Sequence, residues 1–151
     1  MINVTPIAIS ANSQQYAVSI TENLCQCYCL NATVQPQAEV KYSVASQQVL
    51  NGMTYLTILA KGSITYMPRG SNPRCCCRPL TKMFTESFDV IFAGVITTAP
   101  TLTVGETLES AANVKCNGNV HGYNLLTPVT IAFATATPEE TPSVAVTTPK
   151  K

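Results

Sequence analysis

The chain has 151 residues, of which 46% are hydrophobic and 11% charged, with a net charge of +1. That length suits one ordinary domain, and the near-neutral balance excludes a chain drawn by its overall field to nucleic acid or to anionic lipid. The charged fraction is less than half of the roughly 25% usual in soluble domains, too little to cover a monomer's surface, which points to burial against neighbouring subunits in a homo-oligomer or a larger assembly.

The first residues, Met1-Ile2-Asn3-Val4-Thr5-Pro6, show neither the basic region nor the apolar stretch of a secretion signal, so the reading places synthesis in the cytoplasm. From 14 to 30 two periods compete. Tyr16, Val18 and Ile20 alternate as in a strand, whereas Tyr16, Ile20, Leu24 and Cys27 or Tyr28 recur near helical spacing; the reading leans to strand. Further on, Val40, Tyr42 and Val44 point one way and Lys41, Ser43 and Ala45 the other. Asn51-Gly52 accepts the positive φ angles of a type I′ turn, so it joins residues 38–50 to 53–67 as one long antiparallel ribbon, with Leu56, Ile58 and Ala60 again alternating.

Pro68-Arg69-Gly70-Ser71-Asn72-Pro73 has the composition of a loop. A strand follows from about Phe84 to Val95, and its apolar run Val90-Ile91-Phe92-Ala93-Gly94-Val95-Ile96 falls far short of the roughly 18 residues of a membrane span. Asn117-Gly118 joins a strand around 114–116 to one starting near Val120, and Val129, Ile131 and Phe133 close the pattern. Residues 135–151 contain Pro138, Pro142 and Pro149 and few large apolar side chains, as in a flexible tail or a partner-binding arm. The expected fold is all-β, an antiparallel sandwich or barrel of about six to eight strands, with a single β-rich domain over 1–134 and the tail over 135–151.

Six of the seven cysteines fall in two clusters, Cys25, Cys27, Cys29 and Cys75, Cys76, Cys77, with Cys116 apart. In an extended chain the first triplet presents three sulfurs on one face; in the second, Cys75 and Cys77 share a face. Three readings stand. Reduced cysteine is a small buried hydrophobe, which suits Cys116 but gives no reason for clusters. Disulfides, some between subunits, are a second reading, and the odd count leaves one thiol over. A thiolate metal site drawn from Cys25, Cys27, Cys29, Cys75 and Cys77 ranks lower, because neither cluster has the C-x₂₋₄-C spacing of structural zinc. Beside the second triplet stand Arg69, Arg74, Arg78 and Lys82, with no acid between Gly62 and Thr85. Those cations favour thiolate, or dock an acidic partner or phosphates, or simply keep a loop soluble.

Catalytic constellations are not recognisable. The single histidine, His121, lies between glycines and reads as a surface hairpin residue, and the eight acids are thinly spread. Glu86 and Asp89 fall on opposite faces of one strand, so they do not form a facing carboxylate pair. No phosphate loop is present, and no cofactor is expected.

Gln48-Val49-Leu50-Asn51-Gly52 resembles the Gln-x-Val-x-Gly hairpin loop of the cystatins, inhibitors of papain-like cysteine proteases. Tyr55 and Ser87-Phe88-Asp89-Val90-Ile91-Phe92-Ala93 are similar to that family's following strands. The resemblance implies a loop that enters a protease cleft as a wedge, and it requires a long helix over 14–30. The chain departs from the family in having no tryptophan and no glycine before Gly52.

The leading expectation is a non-enzymatic structural or assembly protein, a subunit or accessory protein of a phage virion of the decoration or fibre-like kind. It would be made in the host cytoplasm, partner other copies or capsid proteins, and bind no membrane and no nucleic acid. Its contact elements would be Asn51 and Gly52 at the hairpin and the basic, cysteine-rich stretch 69–82. The alternative is a cystatin-like inhibitor acting through the hairpin loop in the cytoplasm.

Overall fold

Side chains that alternate apolar and polar with period two mark the inner faces of β-strands around Val18, Ile58 and Val129. The computed structural model describes residues 1–24, 29–30, 36–66, 68–69, 80–116 and 119–134, with the side chains of 29–30, 68–69 and 112–121 outside that description. Among the described residues ten strands follow one another: β1 (Ile2–Ile9), β2 (Ser13–Asn23), β3 (Cys29–Leu30), β4 (Gln37–Leu50), β5 (Met53–Tyr66), β6 (Pro68–Arg69), β7 (Leu80–Ala93), β8 (Thr101–Val104), β9 (Leu108–Cys116) and β10 (Asn119–Ala132). No helix occurs among the described residues, so none is long and apolar enough to cross a membrane.

All pairings are antiparallel. The larger sheet runs β1-β2-β10, with β8 and β9 following each other along the far edge of β10. The smaller sheet runs β4-β5-β7. The two sheets face each other as a sandwich, β1 lying against β7 and β4 against β8. Between them Val18, Ile20, Leu56, Ile58, Ile64, Phe92, Leu125, Val129 and Ile131 are fully buried. Removing a large side chain from such a core costs about 2–5 kcal/mol, so this layer dominates the fold's stability. Phe92 and Phe133 meet edge to face with ring centres 4.9 Å apart, the favoured geometry for two ring quadrupoles.

The residues named from alternation lie where the period put them. Leu56, Ile58 and Ala60 are buried, as are Val129, Ile131 and Phe133, while Val40, Tyr42 and Val44 line the inner side of β4 and are half-buried. The ribbon turns at Asn51 (φ 53°) and Gly52 (φ 76°), the left-handed pair of a type I′ turn. Residues 14–23 are strand throughout, so the helix that a cystatin architecture requires over 14–30 is not formed there.

The structure departs from the sequence reading at several bounds: β9 starts at Leu108 rather than near 114, and Pro68–Arg69, expected in a loop, form β6. β7 starts at Leu80, four residues before Phe84, because Leu80 and Met83 face water and give no apolar alternation. It stops at Ala93 because Gly94 takes φ 91° and turns the chain away. β1 and β8 were not foreseen: Pro6 interrupts the first, and the second has only four residues.

Two close approaches fix the sheets locally. Gly62 pairs with Phe84, whose ring covers it; a Cβ at Gly62 would lie 2.2 Å from Glu39 O and 2.5 Å from Phe84 Cζ. Pro128 stands in the middle of β10 between β2 and the β8/β9 edge. The N–H and C=O of one strand residue point to the same side, and Pro128 O accepts the Gly105 N–H at 2.8 Å. The missing proline donor therefore faces residues 105–107, where β8 has ended and β9 has not begun. Thr107 Oγ1 and Thr127 Oγ1, 2.8 Å apart, bond across that break.

Candidate functional site

Hydrogen-bonding side chains and charge are distributed unevenly over the sandwich, and this asymmetry defines its candidate contact surfaces. At one end, near β1 and β7, a polar latch ties the two sheets. The Met1 ammonium donates to Glu86 Oε2 at 2.9 Å and to Glu22 Oε2 at 3.3 Å, and Lys82 Nζ lies 3.6 Å from Glu22 Oε1. Glu22 is buried, and these two cations are its charge partners there. The hydrogen bond from the Met1 ammonium holds the Glu86 carboxyl below the ordinary carboxylate value. Burial works to lower the Met1 amine, but its bonds to Glu86 and Glu22 prevail and raise it.

Further ties run along the same side: Gln14 Nε2 donates to Ile91 O at 2.8 Å, and the Tyr66 hydroxyl donates to Leu24 O. Thr54, fully buried, anchors the segment after β7, donating to Gly94 O at 2.8 Å and accepting from Ile96 N–H at 2.9 Å. On the other sheet, burial and then the neighbouring Glu109 push the Tyr123 phenol up to about 12, and Tyr123 donates to Glu109 Oε1 at 3.1 Å.

The opposite side is open. Val40, Tyr42 and Val44 of β4 and Leu102 of β8 are only partly covered, and Val104 is 41% exposed. No ion pair among the described residues closes this side.

The outer face of the larger sheet is uncharged over four of its five strands. The outward positions of β1, β2, β8 and β10, including Ser19, Thr21, Thr103, Asn124, Leu126 and Thr130, contain no Lys, Arg, Asp or Glu. Asn124 Nδ2 donates to Ser19 Oγ at 2.7 Å and to Thr21 Oγ1 at 2.8 Å, so its side chain is already oriented. The smaller sheet, by contrast, turns Glu39, Lys41, Lys61 and Asp89 to water, the last accepting from Thr57 Oγ1 at 2.7 Å.

The expected site residues fall into three groups. Asn51 and Gly52 form the exposed tip of the β4–β5 hairpin, beside exposed Leu50 and Ile91. Cys29 and Arg69 are brought together, since β3 pairs with β6 in the register Cys29–Arg69 and Leu30–Pro68. Cys25, Cys27, Cys75, Cys76, Cys77, Arg74 and Arg78 lie outside the described residues, so the metal and disulfide readings lie there too. Cys116 ends β9, and His121 sits in β10 where the register with β9 shifts. Glu86 and Asp89 do face opposite ways: Glu86 turns in to Met1, and Asp89 turns out to water. Among the described residues no group of three His, Cys, Asp or Glu side chains is placed to hold a metal.

The sequence reading missed the latch and the uncharged face. A signal for the first was present, since Glu22 continues the inward phase of Val18 and Ile20. The second needed the phase of four strands at once. Scanned against protein-family models, curated proteins and solved structures, the chain matches none.

Proposed function

We propose that the chain is a non-enzymatic assembly protein, a subunit or accessory protein of a phage virion of the decoration or fibre-like kind. The observation that supports this reading is the uncharged outer face that β1, β2, β8 and β10 form on the larger sheet. A charged side chain resists burial because its ion must be desolvated, whereas hydroxyl and amide groups re-pair across a contact at much smaller cost. Threonine is also stiff at χ1, so ordering it in an interface loses little rotamer freedom. Such a face suits a neighbouring subunit. Two shallow hollows, one beside Ala8, Ser10 and Gln15 and one beside Asn12, Ile96 and Phe133, carry no ionisable side chain. The virion setting draws on the chain's low charge and on the Pro- and Thr-rich segment 135–151.

Sedimentation velocity of the full chain in reducing buffer, over a wide concentration range, tests the contact role of the face. The double variant Ser19→Lys, Thr130→Lys should remain in smaller species than the wild type at every concentration, with an unchanged circular dichroism spectrum. Identical sedimentation of the two proteins would remove the face from the interface and the reading with it.

A further inference from the structure

β4 is an edge strand. Among the described residues it pairs with β5 on one side and with nothing on the other. Its first part, from Gln37 to Val44, is regular; the register then shifts between Val44 and Ser46, with Ala45 as the extra residue. Over that regular part the outward side chains are Gln37, Glu39, Lys41 and Ser43, and the inward ones are Ala38, Val40, Tyr42 and Val44.

Two features of this strand are unfinished within one copy. The inner side chains are only partly covered, although their neighbours Ile58, Ala60 and Ile64 on β5 are fully buried. On the outer face Lys41 stands directly opposite Lys61. Like charges at opposed positions of an antiparallel pair repel. The ion pairs among the described residues are those of Met1, Glu22, Glu86 and Lys82, and none reaches Lys41, Lys61 or Glu39.

We propose that two copies of the chain join edge to edge through β4, antiparallel about a two-fold axis at Val40, making one continuous six-stranded sheet. In this register Glu39 of each copy faces Lys41 of the other, twice over. Ala38 meets Tyr42, and Val40 meets its own counterpart, so the half-covered inner side chains gain a neighbour. Gln37 meets Ser43, and Pro36 meets Val44, where the bulge at Ala45 ends the match. The charges also select the register. An axis at Glu39 sets glutamate against glutamate, and an axis at Lys41 sets lysine against lysine; only Val40 between them sets opposite charges together. The strand is therefore complementary to itself, as a two-fold contact requires. The pairing rests on the assembly reading but uses a surface separate from the uncharged face.

Sedimentation equilibrium of the full chain under reductant tests it with three variants. Glu39→Lys makes both facing pairs Lys–Lys and Lys41→Glu makes both Glu–Glu, so each should weaken the dimer about tenfold or more. The double reversal, Glu39→Lys with Lys41→Glu, restores opposite charges and should return the dimer to near wild-type affinity. Lys41→Glu also removes the Lys41–Lys61 repulsion, so its monomer should melt no lower than the wild type while its dimer weakens, which general misfolding does not mimic. Hydrogen exchange at residues 37–44 should slow with rising concentration in the wild type and in the double reversal, but not in the single reversals. A wild type that never dimerises, single reversals without effect, or a double reversal that fails to rescue would each overturn the pairing. Ser19→Lys with Thr130→Lys separates the two ideas. It should leave the β4 dimer intact, so a dimer that never grows larger counts against the assembly reading alone, and growth indifferent to positions 39 and 41 counts against β4 pairing alone.

Discussion

Gly62→Ala sets two effects of opposite sign against each other. From the unfolded chain alone, replacing glycine in a strand by alanine stabilises by about 0.4–1 kcal/mol, since less backbone freedom is lost on folding. In the folded sheet the new Cβ would lie 2.2 Å from the Glu39 carbonyl oxygen and 2.5 Å from Phe84 Cζ. Ordinary contacts need about an ångström more in each case, and one of the two obstacles is backbone in the paired strand. Overpacking of this kind costs about 1–3 kcal/mol, and a backbone neighbour that cannot rotate away puts the cost at the upper end. The net effect is a loss of roughly 2 kcal/mol, or about 4–8 °C in melting temperature for a chain of this size. Thermal unfolding followed by circular dichroism in reductant reads it directly. Adding Phe84→Leu frees the ring tip but not the carbonyl, so it should not restore wild-type stability. Wild-type or higher stability of Gly62→Ala would mean that β4 and β7 do not approach β5 as described, and the β4 edge geometry would fall with it.

The latch gives a pH dependence of known sign. Glu86 is lowered in the folded chain, so its stabilisation is full above the ordinary carboxylate value of 4.5 and is lost as pH falls through the lowered value; Met1 is raised, so its share is full below 8.0 and is lost as pH rises through the raised value. Glu86→Gln should therefore lower the melting temperature most between those limits and least in acid, and an equal deficit at all pH values would show that the latch does not titrate. Thr54→Val strands the Ile96 N–H and costs about 1–3 kcal/mol, with faster hydrogen exchange over residues 94–98; unchanged exchange there would mean Thr54 does not anchor that segment.

Much of the fold was readable because the strands advertise their phase. Val18-Ile20, Leu56-Ile58-Ala60 and Val129-Ile131-Phe133 each mark an inner face, and Asn51-Gly52 marks a turn that few other dipeptides accept. Legibility failed where phase was masked. Leu80 and Met83 face water, so the start of β7 has no apolar alternation. Pro6 speaks against a strand yet occupies an edge, where the chain loses no ladder bond that matters. Contact surfaces were less readable than strands, for a physical reason: a surface collects residues from strands far apart in the chain. Lys41 and Lys61 become neighbours only through the hairpin register, and Ser19 and Asn124 meet across 105 residues. The cysteines attracted the sequence reading because they cluster locally, and Cys29 beside Arg69 is the part of that reading the described residues contain.

The gap between β8 and β9, with Pro128 opposite, also bears on how the chain tolerates crowding. A subunit with two clean edges would hand each newcomer a fresh template, and growth would run on as a fibril. Here the β8/β9 edge is split by the gap, β1 carries Pro6 and the offset at Ile7, and β7 carries the inward Lys82 and Glu86. Among the described edges of the two main sheets, β4 and β7 have long regular stretches, and β7 turns the charged Lys82 and Glu86 inward, so in the proposed pairing a copy that adds at β4 leaves no unguarded template behind it. A protein with 11% charged residues cannot rely on electrostatic repulsion to stay apart; interrupted hydrogen-bond ladders do that work in its place.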